Sequence, residues 1–323
     1  MIGFRNGPQT NGRRPMPCLA RLAAALLTIA LGVTLSACDS SSSPAVATAG
    51  QQRFRVVAGE NFWGSIASQL AGDRASVRSI IVNPETDPHS YQPSAQDART
   101  VAGANMAIVN GIGYDNWMTQ LLAADREGAR TVLNVGDVLG LAEGENPHQW
   151  YSPASVNRVV RQIVADYDRI DPSDSAYYAA RERTFETTDL SRYDALRAEI
   201  RSRYAGVPVG YSESIFQPLG EDLGLRLLTP YSFAKSIAEG TDVTAQDKET
   251  VDSQAEKREI KVWVYNSQNV TPDVQRVTAL VRAQHIPIAT VTETLSPASD
   301  SFEQWQVSEL EGLKAALHQA TGR

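Results

Sequence analysis

From Arg53 onward the chain alternates short β-branched runs with longer amphipathic stretches, and this alternation breaks only once, in the middle. Such alternation is the mark of parallel α/β layers, because a crossover helix must carry the chain back before the next parallel strand can begin. Strands are expected over 54–58, 77–82, 106–109 and 131–135, and again over 207–211, 226–228, 261–265 and 286–291. Helices over 61–70, 94–102, 245–257, 272–283 and 302–320 fall between them, with Ser94 as an N-cap. The stretch 153–204 has no strand signal, only helix formers broken at Asp171-Pro172. From Asp174 the apolar positions Tyr178, Phe185, Tyr193, Leu196, Ile200 and Tyr204 recur near multiples of 3.6. A helix of about 30 residues is roughly 45 Å long, enough to run the height of two stacked lobes. The expected fold class is α/β: two α/β lobes with a cleft between them, joined by one long backbone helix. A length of 323 residues suits two domains, and no repeat of 20–50 residues points to a solenoid.

The first fifty residues read as an address. Arg13, Arg14 and Arg21 precede an uncharged apolar run over 22–37, LAAALLTIALGVTLSA. That run is shorter than the roughly 20 residues needed to cross a ~30 Å hydrocarbon core, so it reads as a secretory signal. A buried core helix is the alternative, disfavoured by the Ser-rich segment that follows. The run ends in Leu35-Ser36-Ala37-Cys38, which resembles the bacterial lipobox, in which the cysteine becomes the acylated first residue. Each buried acyl CH₂ contributes about 0.8 kcal/mol, so several chains on Cys38 would hold the protein at the outer face of the cell membrane. The expected organisation is a signal over 1–37, a flexible tether over 38–52, an N-terminal lobe over 53–170, a linking helix over 171–205 and a C-terminal lobe over 206–323. Loss of Arg5, Arg13, Arg14 and Arg21 with the signal takes the formal charge from −7 to −11, which argues against nucleic acid as a partner. The only cysteines are Cys18 and Cys38. With one removed and the other acylated, neither a disulfide nor a cysteine-based zinc site is open to this chain.

Only four histidines occur: His89, His148, His285 and His318. Two share a setting, in Thr86-Asp87-Pro88-His89-Ser90 and Asn146-Pro147-His148-Gln149-Trp150. Each follows a proline in a polar loop after an expected strand, and proline stiffens the loop by fixing φ. Glu213 and Glu293 follow the strands at 207–211 and 286–291. Ligands of open α/β sheets bind beyond the carboxyl ends of the strands, and all four residues fall there, two from each lobe. Any one alone reads as an ordinary loop residue. Together, two imidazoles and two carboxylates form a four-ligand set for a divalent transition metal, whose charge offsets the repulsion of two close carboxylates. His285, His318 and the turn Gly111-Ile112-Gly113 read as structural. The tryptophans read as core, with Trp150 placed to shield the His148 loop.

These segments resemble the metal-binding substrate-binding proteins of bacterial ABC importers, the class that captures zinc, manganese or iron. The segment TDPHSYQPSAQ at 86–96 is similar to the loop of that family's first histidine ligand, and NPHQW at 146–150 to the second. Glu213 matches the third ligand position, and Glu293 in Thr-Glu-Thr-Leu the fourth. Glu239-Gly240-Thr241, ahead of the helix at 245, is similar too. The resemblance implies a metal cleft holding one manganese, iron or zinc ion as transported ligand. It also implies a membrane permease with its cytoplasmic ATPase as partners, and a monomer as the working form. Zinc-selective members carry a third histidine where this chain has Glu213, and many carry a His-rich acidic loop that is lacking here. The rival readings are a lipid-anchored adhesin and a metal-dependent hydrolase. The sequence has no H-E-x-x-H, G-x-S-x-G or P-loop to support an enzyme.

Overall fold

The computed structural model describes residues 53–125 and 129–323. The expected signal, tether and Cys38 lie outside the described residues. No described helix is long and apolar enough to cross a membrane.

The N-terminal lobe runs β1 (Phe54–Glu60), α1 (Asn61–Ala71), β2 (Ala75–Ile81), α2 (Ala95–Ala102), β3 (Met106–Val109), α3 (Asn116–Ala124), β4 (Thr131–Asn134) and α4 (Val135–Leu139). Its four strands are all parallel, in the order β2-β1-β3-β4. The C-terminal lobe runs β5 (Pro208–Tyr211), α8 (Gln217–Asp222), β6 (Arg226–Leu227), α9 (Tyr231–Ala238), α10 (Ala245–Glu256), β7 (Val262–Asn266), α11 (Pro272–Ala283), β8 (Ile288–Val291) and α12 (Phe302–Thr321). It repeats the topology, β6-β5-β7-β8, again all parallel. In each sheet the first strand lies between neighbours reached in opposite directions, which opens a crevice at the carboxyl edge. Ser94 caps α2 in a capping box with Asp97, and Ser301 caps α12 in another with Gln304.

Between the lobes stand α5 (Pro153–Ile170), α6 (Ser175–Thr184) and α7 (Ser191–Tyr204). The single regular helix expected here is instead α6 and α7 joined by a π-helical turn, Phe185–Asp189. Phe185 at the turn is fully buried, so the extra residue is absorbed while the apolar stripe stays on the core. Either side of the turn faces a different lobe. Toward the first, Arg181 donates to the Gln69 carbonyl at 2.7 Å, and Tyr178 meets Phe54 edge-on and Tyr167 at a tilt. Toward the second, Lys314 of α12 pairs with Glu199 at 2.8 Å, and Tyr204 donates to the Arg323 carbonyl at 2.8 Å.

One apolar core runs through both lobes and all three linking helices, from Phe54 and Phe62 through Trp150, Tyr167, Phe185 and Leu196 to Val209, Trp305 and Leu317. Each sheet adds a smaller cluster on its other face, around Trp117 and Met118 in the first and Trp263 and Val277 in the second. A shared core of this kind resists hinge bending, because interiors are close-packed and deform little.

Candidate metal centre

The loops at the carboxyl edges of the two sheets face each other across a cavity of about 380 Å³. Thr86, Asp87 and His89 form one wall, and Ala238, Glu239, Asn269 and Glu293 the other.

His89 sits in a single 3-10 turn, Pro88–Ser90, capped by Asp87, whose carboxylate accepts from the His89 backbone N–H at 2.9 Å and from the Ser90 hydroxyl at 2.8 Å. The residue is exposed at the mouth, while its ring packs edge-on to Tyr114 at 4.6 Å. Desolvation of that ring lowers its pKa, reinforced by nearby His148 and opposed by Glu293 and Asp87. Among the described residues, no hydrogen bond ties this loop across the cleft.

His148 is fully buried. Its Nδ1 lies 2.8 Å from Asn146 Oδ1, which can only accept, so the imidazole donates there and turns Nε2 toward the cleft. Nε2 stands 3.6 Å from Glu213 Oε1 and 3.8 Å from Glu293 Oε1. Trp150 shields the ring edge-on at 5.2 Å and itself stacks on Phe62 at 3.9 Å.

Glu213 and Glu293 are both buried and share one amide. Asn266, the last residue of β7, donates to Glu213 Oε2 at 2.9 Å and to Glu293 Oε1 at 3.1 Å. Tyr114 donates to the other Glu293 oxygen at 2.7 Å. The pair divides its proton unevenly. Burial, then the charge of Glu293, pushes Glu213 well above the usual carboxylate range. Burial pushes Glu293 up as well, but His148, then His89 and Glu213, outweigh it and hold this carboxyl at about 2.

One ligand atom each from His89, His148 and Glu293 lie within 4.8 Å of one another. Glu213 falls outside that tight group yet adjoins two of its members. Buried atoms without a hydrogen-bond partner among the described residues include His148 Nε2, Glu213 Oε1 and both carboxylate oxygens of Glu60. Orphaned polar atoms are costly, and two of these face the same gap. A cation there would satisfy them.

Sequence reasoning passed over the residues behind the four. Tyr114 is delivered by the turn Gly111-Ile112-Gly113, where all three φ values are positive. Glycine adopts that region freely, but Ile112 is strained in it. The turn is held by Asp115, which accepts from the N–H groups of Asn110 and Gly111, both at 2.8 Å. Burial raises Asp115 to about 6 against those bonds. Glu60 ends β1 and is pushed up by burial, then by the charges of Asp115 and Glu293. Tyr114, Glu60 and Asn266 all lie at a strand's carboxyl end, the same rule that located the four.

Residues 56–316 match the family described as zinc-uptake complex component A, periplasmic (ZnuA). The chain belongs to that family. It is 24% identical over 258 residues to the iron-binding protein YfeA of Yersinia pestis, covering 76% of this chain and 71% of that protein. It is 27% identical over 181 residues to the manganese-binding lipoprotein MntA of Halalkalibacterium halodurans, covering 53% and 58%. Among solved structures, the Mn-bound periplasmic metal binding protein from Candidatus Liberibacter asiaticus superposes with a TM-score of 0.69 at 19% identity, over 82% of this chain and all of that one. FpvC from Pseudomonas aeruginosa, in complex with Mn²⁺, gives 0.66 at 19% identity, over 83% and all of its length. Both share the two-lobe fold of this ZnuA-family chain.

Proposed function

We propose that this ZnuA-family chain is an extracytoplasmic solute-binding protein that captures one divalent transition-metal ion (manganese, iron or zinc) and passes it to an ABC importer's permease, driven by a cytoplasmic ATPase. The observation that carries this is the buried meeting of His148 Nε2, Glu213 Oε1 and Glu293 Oε1, two of them orphaned, beneath an acidic cleft open to solvent. His89, His148, Glu213 and Glu293 are the proposed ligands, with the ion as cargo.

The geometry suits loading in two stages. His148, Glu213 and Glu293 form a braced platform that meets an incoming cation, while Asp87, Glu239 and Glu85 give the mouth a negative field that concentrates cations. His89, already within 4.8 Å of His148 and Glu293 at the mouth, adds the outermost donor. Two oxygen and two nitrogen donors suit manganese and iron, and the carboxylates can bind through both oxygens to raise the coordination number. The Irving–Williams order nonetheless ranks zinc above both in affinity for such a site.

The lipoprotein names of relatives such as MntA support anchoring through Cys38 at the membrane surface, and action as a monomer is part of the same proposal. Neither the adhesin nor the hydrolase reading draws support from this site or family, and binding without turnover is the reading proposed. Calorimetry with Mn²⁺ and Zn²⁺ tests the site. One ion per chain is expected, and wild-type affinity in both His89→Ala and His148→Ala would refute the ligand assignment.

A further inference from the structure

Behind the cleft, four donors converge on one carboxylate that the metal site does not use. Glu309 lies on α12, half-buried. Its Oε1 accepts from the Thr292 backbone N–H at 2.9 Å, the Thr292 hydroxyl at 3.0 Å and Trp305 Nε1 at 2.9 Å. The Tyr151 hydroxyl lies 2.5 Å from Glu309 Oε2 and 2.9 Å from the Thr292 carbonyl oxygen. Tyr151, Trp305 and Thr292 are buried, and the Tyr151 and Trp305 rings meet edge-on at 5.5 Å.

The positions of these partners give the cluster its meaning. Thr292 directly precedes Glu293, and Tyr151 comes three residues after His148, in the same 3-10 turn that follows it. Tyr151 belongs to the N-terminal lobe's loop, whereas Thr292 and Glu309 belong to the C-terminal lobe, so the cluster is a tie across the lobes. The other flank of the His148 loop is tied as well: Asn146 donates to the Ser214 carbonyl, next to Glu213, at 2.8 Å. His148 is thereby fastened to the glutamate segments on both sides, and the tie on the Glu293 side closes on Glu309.

We propose that Glu309 is a positioning residue for metal capture: through Tyr151 and Thr292 it clamps the His148 turn against the Glu293 segment and so fixes the separation of those two ligands. This rests on the ligand assignment proposed above. Groups that orient metal ligands from behind typically change affinity tenfold to a hundredfold when removed. A loosened ligand pair releases its ion sooner, so the loss falls on the off-rate.

The test uses the full chain with Mn²⁺ for affinity and rates, and Co²⁺ for its ligand-field absorption spectrum. Glu309→Ala and Tyr151→Phe are each expected to weaken Mn²⁺ binding tenfold to a hundredfold through faster release, and to alter the Co²⁺ bands. Glu309→Gln keeps an acceptor for Thr292 and Trp305 and a donor for Tyr151, and is expected to restore affinity to within about threefold. Tyr167→Phe removes a buried bond to the Ala67 carbonyl elsewhere in the core. It should lower the melting temperature while leaving release and spectrum unchanged. Should Glu309→Ala fail to fold, Tyr151→Phe, which removes one oxygen, decides the matter. Lowered melting temperatures with wild-type affinity and an unchanged Co²⁺ spectrum in the Glu309→Ala and Tyr151→Phe variants would overturn the clamp. Loss of binding in His148→Ala alongside that result leaves the ligand assignment standing, whereas wild-type affinity in His148→Ala overturns the assignment and the clamp with it.

Discussion

Metal capture by this chain should expel a proton at neutral pH, and the proton should come from Glu213. Glu213 and Glu293 share the Asn266 amide. Through that amide their oxygens lie at most about 6 Å apart, and at an effective dielectric near 20 two such charges repel by about 3 kcal/mol. Burial, which precedes that charge as the larger cause, pushes Glu213 further in the same direction. Glu293 stays ionised, held at about 2 by His148 against the effect of its burial. The pair therefore holds one proton, on Glu213, until a cation reverses the local charge. A ligand must be deprotonated to bind, so below the metal-free pKa of Glu213 the apparent affinity should rise about tenfold per pH unit, or about 1.4 kcal/mol. His89, with its pKa lowered chiefly by desolvation, adds less to this slope than an ordinary imidazole would. Calorimetric titration of Mn²⁺ at pH 6.5 and 7.5, in buffers of different ionisation enthalpy, counts the protons released. Glu213→Gln should lose both affinity and the Glu213 proton. Binding heats independent of buffer, with an affinity flat over that range, would refute the shared-proton reasoning.

Three further outcomes follow from the same geometry. Both His89→Ala and His148→Ala should weaken Mn²⁺ binding at least tenfold, about 1.4 kcal/mol. Only His148→Ala should also destabilise the metal-free chain, by about 1–3 kcal/mol, because it deletes a fully buried ring that donates to Asn146 and packs on Trp150; equal melting temperatures for the two variants would count against this. Glu309, ordinarily at 4.5, is raised to about 8 by burial, so the stability its protonated form provides is full below pH 4 and lost as pH rises through 8. Glu309→Gln lacks that loss, and urea titrations should show its advantage over wild type growing from pH 5 to 7.5 by up to about 1.4 kcal/mol per unit, where a constant difference would exclude the shift. Small-angle scattering of metal-free and loaded protein should nearly superimpose, since one core passes through both lobes, and a marked change in radius of gyration would contradict a stiff spine.

How much of this was legible in the sequence depended on the range of the interaction concerned. Strands at 106–109 and the helix at 272–283 appear with the bounds read from pattern alone, as β3 and α11. Their signals are local: β-branched runs, a proline at the first helical turn, a threonine cap. Strand starts were less secure. The segment from Ile286 starts as strand only at Ile288, because His285, at a φ of 54°, and Pro287 shape a turn first. The π turn at Phe185 left no trace, since an inserted residue whose side chain still faces the core keeps the apolar rhythm. The four candidate ligands were visible because two rare residue types sit beside prolines and strand ends. Asn266 and Tyr114 were not, because an amide and a phenol at such ends are common, and only their meeting at Glu293 gives them meaning. Glu309 was hidden for the opposite reason. A glutamate in a charged helix attracts no notice, although its place four residues after Trp305 and beside Leu310 puts it on the buried stripe of α12.

The stiffness of the spine and the need to give up cargo are compatible once the origin of each ligand is considered. On the proposed assignment both imidazoles come from loops of the N-terminal lobe and both carboxylates from the C-terminal lobe, so every pairing of nitrogen with oxygen about the ion crosses the cleft. Metal–ligand bonds of about 2.0–2.2 Å tolerate little stretching, and a relative shift of the lobes by about 1 Å would break half of them. The hydrogen bonds around the four residues are built to receive such a shift. Asn266 and Tyr114 already satisfy Glu293, and Glu213 regains its proton from water entering the open mouth. Release thus needs no wide opening. A docked permease that moves the His89 loop, the ligand least tied to the rest, removes the outermost donor first. It then leaves the ion on the buried platform of His148, Glu213 and Glu293, where the return of one proton to Glu213 restores the charge balance of the unloaded protein.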